Sequence, residues 1–157
     1  MVPLFWNVIR LVMGADSNLD VLGNDNLPFA FIHADGAIEA LDVLGVCGAD
    51  VAATGLNVLT SDFFDIASVS DFHRTTMFVG TALPEGCRSC PERDTCGGGY
   101  LPHRHSRERG FDNPSVWCAD LLAFFDHVRR WLDVPAGETA VRREALRCVA
   151  EEAIAPG

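Results

Sequence analysis

Basic residues are scarce in this chain, and long apolar runs are missing from it. Its 12 Lys and Arg residues face 22 Asp and Glu residues, so the formal net charge is −10 at pH 7. A general nucleic-acid or membrane-surface binder needs a basic face, so we expect neither partner. No stretch of about 18 continuous apolar residues exists, so we also expect no membrane-spanning helix.

Signals for export and for the common enzyme classes are missing as well. The opening residues, Met-Val-Pro-Leu-Phe-Trp-Asn, carry no basic stretch and no small-residue cleavage site, so we expect no signal peptide and a cytoplasmic location. The chain has no Gly-x-Ser-x-Gly, no phosphate loop and no dinucleotide-binding fingerprint. Neither paired carboxylates nor a Ser/His/Asp set stands out. We therefore predict no catalytic residue.

Apolar residues make up 48% of the 157 residues, which is enough for the core of one ordinary domain. Residues 4–13 form a helix candidate. Two β-prone runs flank Asp35 and Gly36 and predict a hairpin, because glycine accepts the positive φ of a tight turn. Further helical pieces follow, with Ser61 or Asp62 as the first cap.

The second half of the chain begins with a loop-rich segment. Residues 79–117 hold six glycines and four prolines, and a bound metal would supply the ordering energy that this segment lacks. Two helices are predicted after it, over residues 115–132 and 138–154. The first has apolar residues at three- and four-residue steps: Val116, Leu121, Leu122, Phe125, Val128 and Leu132. The predicted fold class is α+β, with a small β-hairpin, an irregular cysteine-rich metal loop and C-terminal helices.

Four of the six cysteines form a spacing typical of a metal site. Cys87-x2-Cys90-x5-Cys96 is followed by Cys118 after a further 22 positions. Two thiolates separated by two residues can turn toward one ion or cluster from a single tight loop. Three glycines directly after Cys96 let the backbone approach an inorganic core and point N–H groups at sulfur. The pattern predicts a closed site with four thiolate ligands.

The spacing leaves the occupant of this site open. A [4Fe-4S] cluster and a single zinc ion both accept four thiolates, although the paired Cys-x2-Cys motifs of zinc ribbons are absent. Three disulfides of a secreted protein are the third alternative, disfavoured by the clustering and by the missing export signal. Cys47 and Cys148 stand alone, and we interpret them as small buried hydrophobic residues.

The string CRSCPERDTCGGGYLPHRHSRERGFDNPSVWC, residues 87–118, resembles the C-terminal SPASM domain of radical SAM peptide maturases. The most similar group crosslinks residues of ribosomally made peptides (RiPP maturation) and includes the cyclophane-forming, FxsB-type enzymes. The hairpin segment fits the same family. The resemblance covers roughly residues 28–132, which it implies to be a SPASM-like iron–sulfur domain. We predict an N-terminal helix and linker at 1–27 and a helical extension at 133–157 on either side of it.

The resemblance also implies a ligand set for an auxiliary cluster. The family's Cys-x2-Cys-x5-Cys motif and its later cysteine correspond to Cys87, Cys90, Cys96 and Cys118. Tyr100 and Leu41 stand where a further auxiliary cluster would need cysteines, so the resemblance implies only one cluster. The Cys-x3-Cys-x2-Cys motif of the radical SAM core is missing. The chain therefore has no S-adenosylmethionine site and is not expected to be catalytic alone.

These points imply a split subunit or truncated piece of a peptide-modifying maturase. Its partners would be a separate radical SAM core subunit and the ribosomally made precursor peptide, and its cluster would act structurally or as an electron relay, with a role in positioning the peptide. The alternative is a non-catalytic interaction module stabilised by zinc or by a cluster.

Residues around the cysteines have expected roles of their own. Arg104 would tie the loop down through backbone carbonyls or donate to cluster sulfurs. Asp112 or Asn113 would cap the helix that follows. Trp117, next to a ligand, would shield the cluster from water.

Overall fold

The computed structural model describes residues 2–17, 19–23 and 30–154 of the chain. Helices and a small three-stranded antiparallel sheet occur together in it, which confirms the α+β class at this coarse level. The chain divides into two compact units, one within residues 26–82 and the other built from residues 1–25 and 83–157. The division at 1–27, 28–132 and 133–157 follows the family resemblance rather than compactness, and it stays a prediction.

The regular elements are short except for the last two helices. The described α-helices are α1 (Pro3–Val12), α2 (Ala49–Ala52), α3 (Asp71–Phe78), α4 (Arg93–Cys96), α5 (Cys118–Leu132) and α6 (Thr139–Ile154). The strands are β1 (Phe31–Ile32), β2 (Ala37–Glu39) and β3 (Ala53–Asn57). Short 3-10 helices cover Asp42–Val46, Phe63–Ser68, Glu85–Cys87 and Leu101–Arg104. Among the residues described, none of the helices combines the length and the apolar character that crossing a bilayer requires.

The predicted hairpin is confirmed in the 26–82 unit. β1 and β2 pair antiparallel, and the Gly36 N–H group donates to the His33 carbonyl at 2.9 Å to close the turn. Gly36 has a φ of 85°, which a residue with a side chain rarely adopts. β3 was not predicted: it pairs antiparallel with β2, but its sequence Ala-Thr-Gly-Leu-Asn lacks the clear alternation of a strand.

The predicted helix start at Asp62 is also confirmed, although the helix is of the 3-10 type. The Asp62 carboxylate accepts from the Phe64 N–H group at 3.1 Å, and the Asp65 carboxylate accepts from the Asp62 N–H group at 2.8 Å. This reciprocal arrangement is a capping box. α3 follows the end of this 3-10 helix, and the Ser70 hydroxyl caps it by accepting from the His73 N–H group at 3.2 Å.

The other unit joins the two ends of the chain around one core. α1 begins at Pro3, one residue before the predicted start, and α6 matches its predicted span within a residue. The buried core residues come from α1, from α5 and from the segments that follow each of them: Val8, Leu11, Val12, Leu22, Phe125, Val128 and Val134. The N-terminal helix is therefore part of the unit that carries Cys87, Cys90, Cys96 and Cys118.

The start of α5 differs from the prediction. The helix begins at Cys118 rather than at residue 115, because the preceding residues form a turn of their own. The Val116 N–H group donates to the His103 carbonyl at 3.0 Å, and the Ser115 hydroxyl accepts from the Trp117 N–H group at 3.2 Å. Val116 is 76% exposed, so its predicted place on the apolar face of the helix was wrong. Phe125 and Val128, in contrast, are buried as predicted.

Candidate metal centre

Four cysteine side chains line one cavity in the unit that joins the chain ends. Cys87 ends a 3-10 helix, Cys90 lies in the next turn, Cys96 ends α4 and Cys118 begins α5. The cavity is narrow and encloses about 340 Å³, its opening to solvent included. Its remaining walls come from Arg93, Gly98, Ser115, Leu121 and Leu122. The structure thus brings together all four cysteines that the spacing singled out.

All six cysteines of the chain are free thiols in this structure. Within the described part of the chain, no three His, Cys, Asp or Glu side chains converge closely enough to hold a metal ion. The four thiols nevertheless line one cavity.

Consecutive turns place the first three cysteines on this cavity. The Cys90 N–H group donates to the Cys87 carbonyl at 3.1 Å, which closes the Cys-x2-Cys segment into one turn. The Arg93 N–H group donates to the Cys90 carbonyl at 3.1 Å and starts the next turn. The Cys96 N–H group donates to the Glu92 carbonyl at 2.7 Å. Local backbone hydrogen bonds thus fold the 87–96 segment around its own thiols.

The three glycines after Cys96 are required by the backbone. Gly97, Gly98 and Gly99 have φ values of 65°, 84° and 75°, which side chains disfavour. A Cβ atom on Gly98 would lie 3.1 Å from the Pro84 Cδ atom, and one on Gly99 would lie 3.0 Å from the Ser115 Cβ atom. The Gly98 N–H group donates to the Cys96 sulfur. One backbone amide group of the glycine loop therefore approaches the sulfur of Cys96, as expected.

Two of the thiols that line this cavity, those of Cys96 and Cys87, have raised pKa values. Burial raises the pKa of Cys96 to about 12, partly offset by the hydrogen bond from Gly98. Burial also raises the pKa of Cys87, and the neighbouring Cys118 and Cys90 raise it further. A metal that binds these groups as thiolates must displace their protons, so its affinity is expected to increase with pH.

The raised pKa of Cys96 predicts a pH dependence for the metal-free, reduced chain. Folding raises this pKa from 9.0 to about 12, so the folded state binds the proton more tightly. The stability that results is complete below about pH 9 and is lost as the pH rises toward about 12. Denaturant titrations at a series of alkaline pH values would measure the slope. Cys96→Ser removes the titrating group and should flatten the slope, and an unchanged slope in this variant would contradict the assignment.

Arg104 is a buried cation beside the same thiols. It is 3% exposed, and its Nε and Nη2 atoms donate to the Phe111 carbonyl at 3.2 and 3.1 Å. The predicted role of tying the loop to a backbone carbonyl is confirmed. Burial lowers the pKa of Arg104, while nearby Cys87, Asp112 and Cys96 raise it. Its positive charge would favour the thiolate forms of the cysteines that a metal needs.

Other expectations about this region were wrong. The Asp112 carboxylate accepts from the Glu85 N–H group at 2.8 Å, and Asn113 donates to the Arg104 carbonyl at 2.9 Å, so neither caps α5, which has no side-chain cap. Trp117 does not line the thiol cavity. It is 54% exposed and borders a neighbouring apolar cavity.

The two remaining cysteines are not part of the thiol cavity. Cys47 follows a 3-10 helix in the 26–82 unit and is half-buried, and burial raises the pKa of its thiol. Cys148 is exposed on α6, so its interpretation as a buried hydrophobic residue was wrong. Neither lines the cavity of the other four.

Sequence reasoning missed a buried ion pair behind the cysteine loop. The Arg129 Nε and Nη2 atoms donate to the two carboxylate oxygens of Glu92 at 2.6 and 2.8 Å, and both residues are 4% exposed. Nη2 also donates to the Thr95 and Thr139 hydroxyls at 2.8 and 2.9 Å, and Nη1 donates to the Pro135 carbonyl at 2.9 Å. The two hydroxyls lie 2.8 Å apart. This Arg129 network connects the loop between Cys90 and Cys96 to α5 and to the start of α6.

Comparisons with protein-family models, with curated proteins and with solved structures find no match to this chain.

Proposed function

We propose that this chain is the auxiliary [4Fe-4S] cluster domain, of SPASM type, of a radical SAM peptide maturase. It would occur as a split subunit or truncated piece that works with a separate radical SAM core and a ribosomally made precursor peptide. One observation carries the proposal: the four cysteines that the family-like string singles out line a common cavity. The proposed ligands are Cys87, Cys90, Cys96 and Cys118.

The surroundings of the thiols support an inorganic cluster. The Gly98 N–H group already donates to the Cys96 sulfur, and such bonds stabilise sulfur ligands that carry negative charge. The buried Arg104 cation adds to this effect.

The chain's own residues would hold and protect the cluster rather than react. With four thiolates engaged, no coordination position would be left for a substrate, so a cubane here would supply structural order or relay electrons. The glycine loop and the two leucines on the cavity wall would limit the access of water to it. Cleavage of S-adenosylmethionine would be the task of the partner subunit.

The zinc- or cluster-stabilised interaction module is the competing proposal, because four thiolates also suit zinc. Metal analysis of protein purified without oxygen and reconstituted with iron and sulfide separates the two. We expect about four irons per chain and a broad absorption band near roughly 400 nm that bleaches with dithionite. About one zinc and no visible band would favour the module instead. If the protein retained neither metal, both proposals would be wrong.

A further inference from the structure

The Arg129 network holds one wall of the thiol cavity against another. Glu92 and Thr95 lie in the segment that runs from Cys90 to Cys96 and includes α4, while Arg129 lies on the helix that begins with Cys118. One guanidinium group bonds to both loop residues, at 2.6 to 2.8 Å. The loop that carries two thiols is thereby attached to the element that carries the fourth.

We propose that Glu92 and Arg129 are positioning residues of the metal centre, which set the place of Cys96 relative to Cys118. The inference rests on the proposed metal site. A planar guanidinium that binds both oxygens of a carboxylate fixes distance and orientation together, unlike an apolar contact. The hydroxyls of Thr95 and Thr139 complete the arrangement, so the loop cannot slide along the helix without breaking several bonds.

Stability alone does not account for the pair. Two buried charges lose their hydration, and a well-packed apolar pair of similar volume is often as stable or more stable. Directional bonds beside a ligand loop are instead the kind of contact that orients metal ligands. We therefore predict that an apolar pair in place of Glu92 and Arg129 leaves the fold intact but changes the position of Cys96 relative to Cys118.

A double variant tests this prediction, with a matched control on the same helix. Glu92→Leu/Arg129→Met replaces the buried pair. Asp126→Leu/Arg130→Met makes the same kind of change in an exposed ion pair with an N···O distance of 2.9 Å. Both are made in a chain whose other four cysteines are serine, so that only Cys96 and Cys118 remain. Dibromobimane, which becomes fluorescent when it bridges two thiols, then reports their relative position without any metal.

We expect both double variants to unfold at a denaturant midpoint near that of the parent chain. Bridging should be about tenfold slower or more for Glu92→Leu/Arg129→Met and unchanged in the control. In the six-cysteine chain, the same variant should lose iron to a chelator about tenfold faster or more. Bridging at the parent rate in a folded variant would overturn the proposal.

Arg129→Lys keeps the positive charge but loses the planar guanidinium that binds both carboxylate oxygens. This second variant tests the proposal if the double variant does not fold. Folded Arg129→Lys protein with slower bridging would support positioning. If it bridged at the parent rate, or if both variants failed to fold, the network would be structural only and the proposal wrong. A parent chain that binds neither iron nor zinc would show that the proposed function is wrong. The bridging rates would still show whether the network sets the position of Cys96 relative to Cys118.

Discussion

Replacing Cys118 by alanine is expected to leave the protein without its full complement of iron. Cys118 is the only one of the four thiols that comes from α5, so the other three cannot close the site from that side. A cubane with three protein ligands keeps an exposed iron that exchanges readily, and neither Cys47 nor Cys148 lines the cavity to replace the fourth thiolate. Iron and sulfide analysis after anaerobic reconstitution and gel filtration measures the effect.

Cys148→Ala and Cys47→Ala are the matched controls for this experiment. Both remove a thiol from the same chain, but neither thiol lines the cavity. These variants should keep the iron content and the visible spectrum of the parent protein. A full complement of iron in Cys118→Ala, or a loss of iron in both controls, would show that the ligand assignment is wrong.

Arg129→Met alone is expected to lower the free energy of unfolding by about 3–5 kcal/mol, because it leaves the Glu92 carboxylate buried without its partner. The carboxylate has only 6% of its side-chain surface exposed, so water cannot replace the lost hydrogen bonds without opening the loop. A domain is usually stable by only about 5–15 kcal/mol, so the change should be obvious in a denaturant titration. The titration should be done on metal-free, reduced protein, because a bound metal would add stability and mask the loss.

Arg130→Met provides the comparison, since Arg130 is the next residue and also forms an ion pair. Its partner is Asp126, and the two side chains are 72% and 64% exposed. Exposed pairs contribute at most about 1 kcal/mol, so this variant should unfold close to the parent midpoint. Equal losses from Arg129→Met and Arg130→Met would mean that the buried network has no special role in stability.

The position of Arg129 shows why part of the site escapes sequence reasoning. It lies four residues after Phe125, and Val128 lies three residues after Phe125, so all three share one face of the helix. A charged residue on such a stripe is a signal for a buried partner, but nothing in the sequence indicates which acid supplies it. Glu92 is 37 positions away and lies among the residues of the cysteine loop. The pairing depends on tertiary packing, which no local pattern encodes.

Elements governed by local chemistry were easier to predict. The Asp35-Gly36 turn follows from the conformational freedom of glycine, and the cap at Asp62 follows from its side chain, so both were found. The four-cysteine cavity was anticipated by spacing, since Cys87 and Cys90 need only a single turn to face the same way. β3 depends on its pairing with β2, and the start of α5 depends on a contact between Val116 and His103. Such long-range determinants leave no clear trace in a window of a few residues.

The core shared by α1 and α5 has a consequence for how the chain folds during its synthesis. On the ribosome, α1 emerges about a hundred residues before the helix it packs against, and contacts of such long range form late in folding. Until then Val8, Leu11 and Val12 have no partner on α5 and stay exposed to solvent or to other nascent chains. This unit therefore cannot finish folding until the C-terminal half of the chain has been made. The thiols of Cys87, Cys90, Cys96 and Cys118 are synthesised while α1 still lacks its partner helix. A cell that makes this protein would need to delay aggregation and oxidation over the same interval.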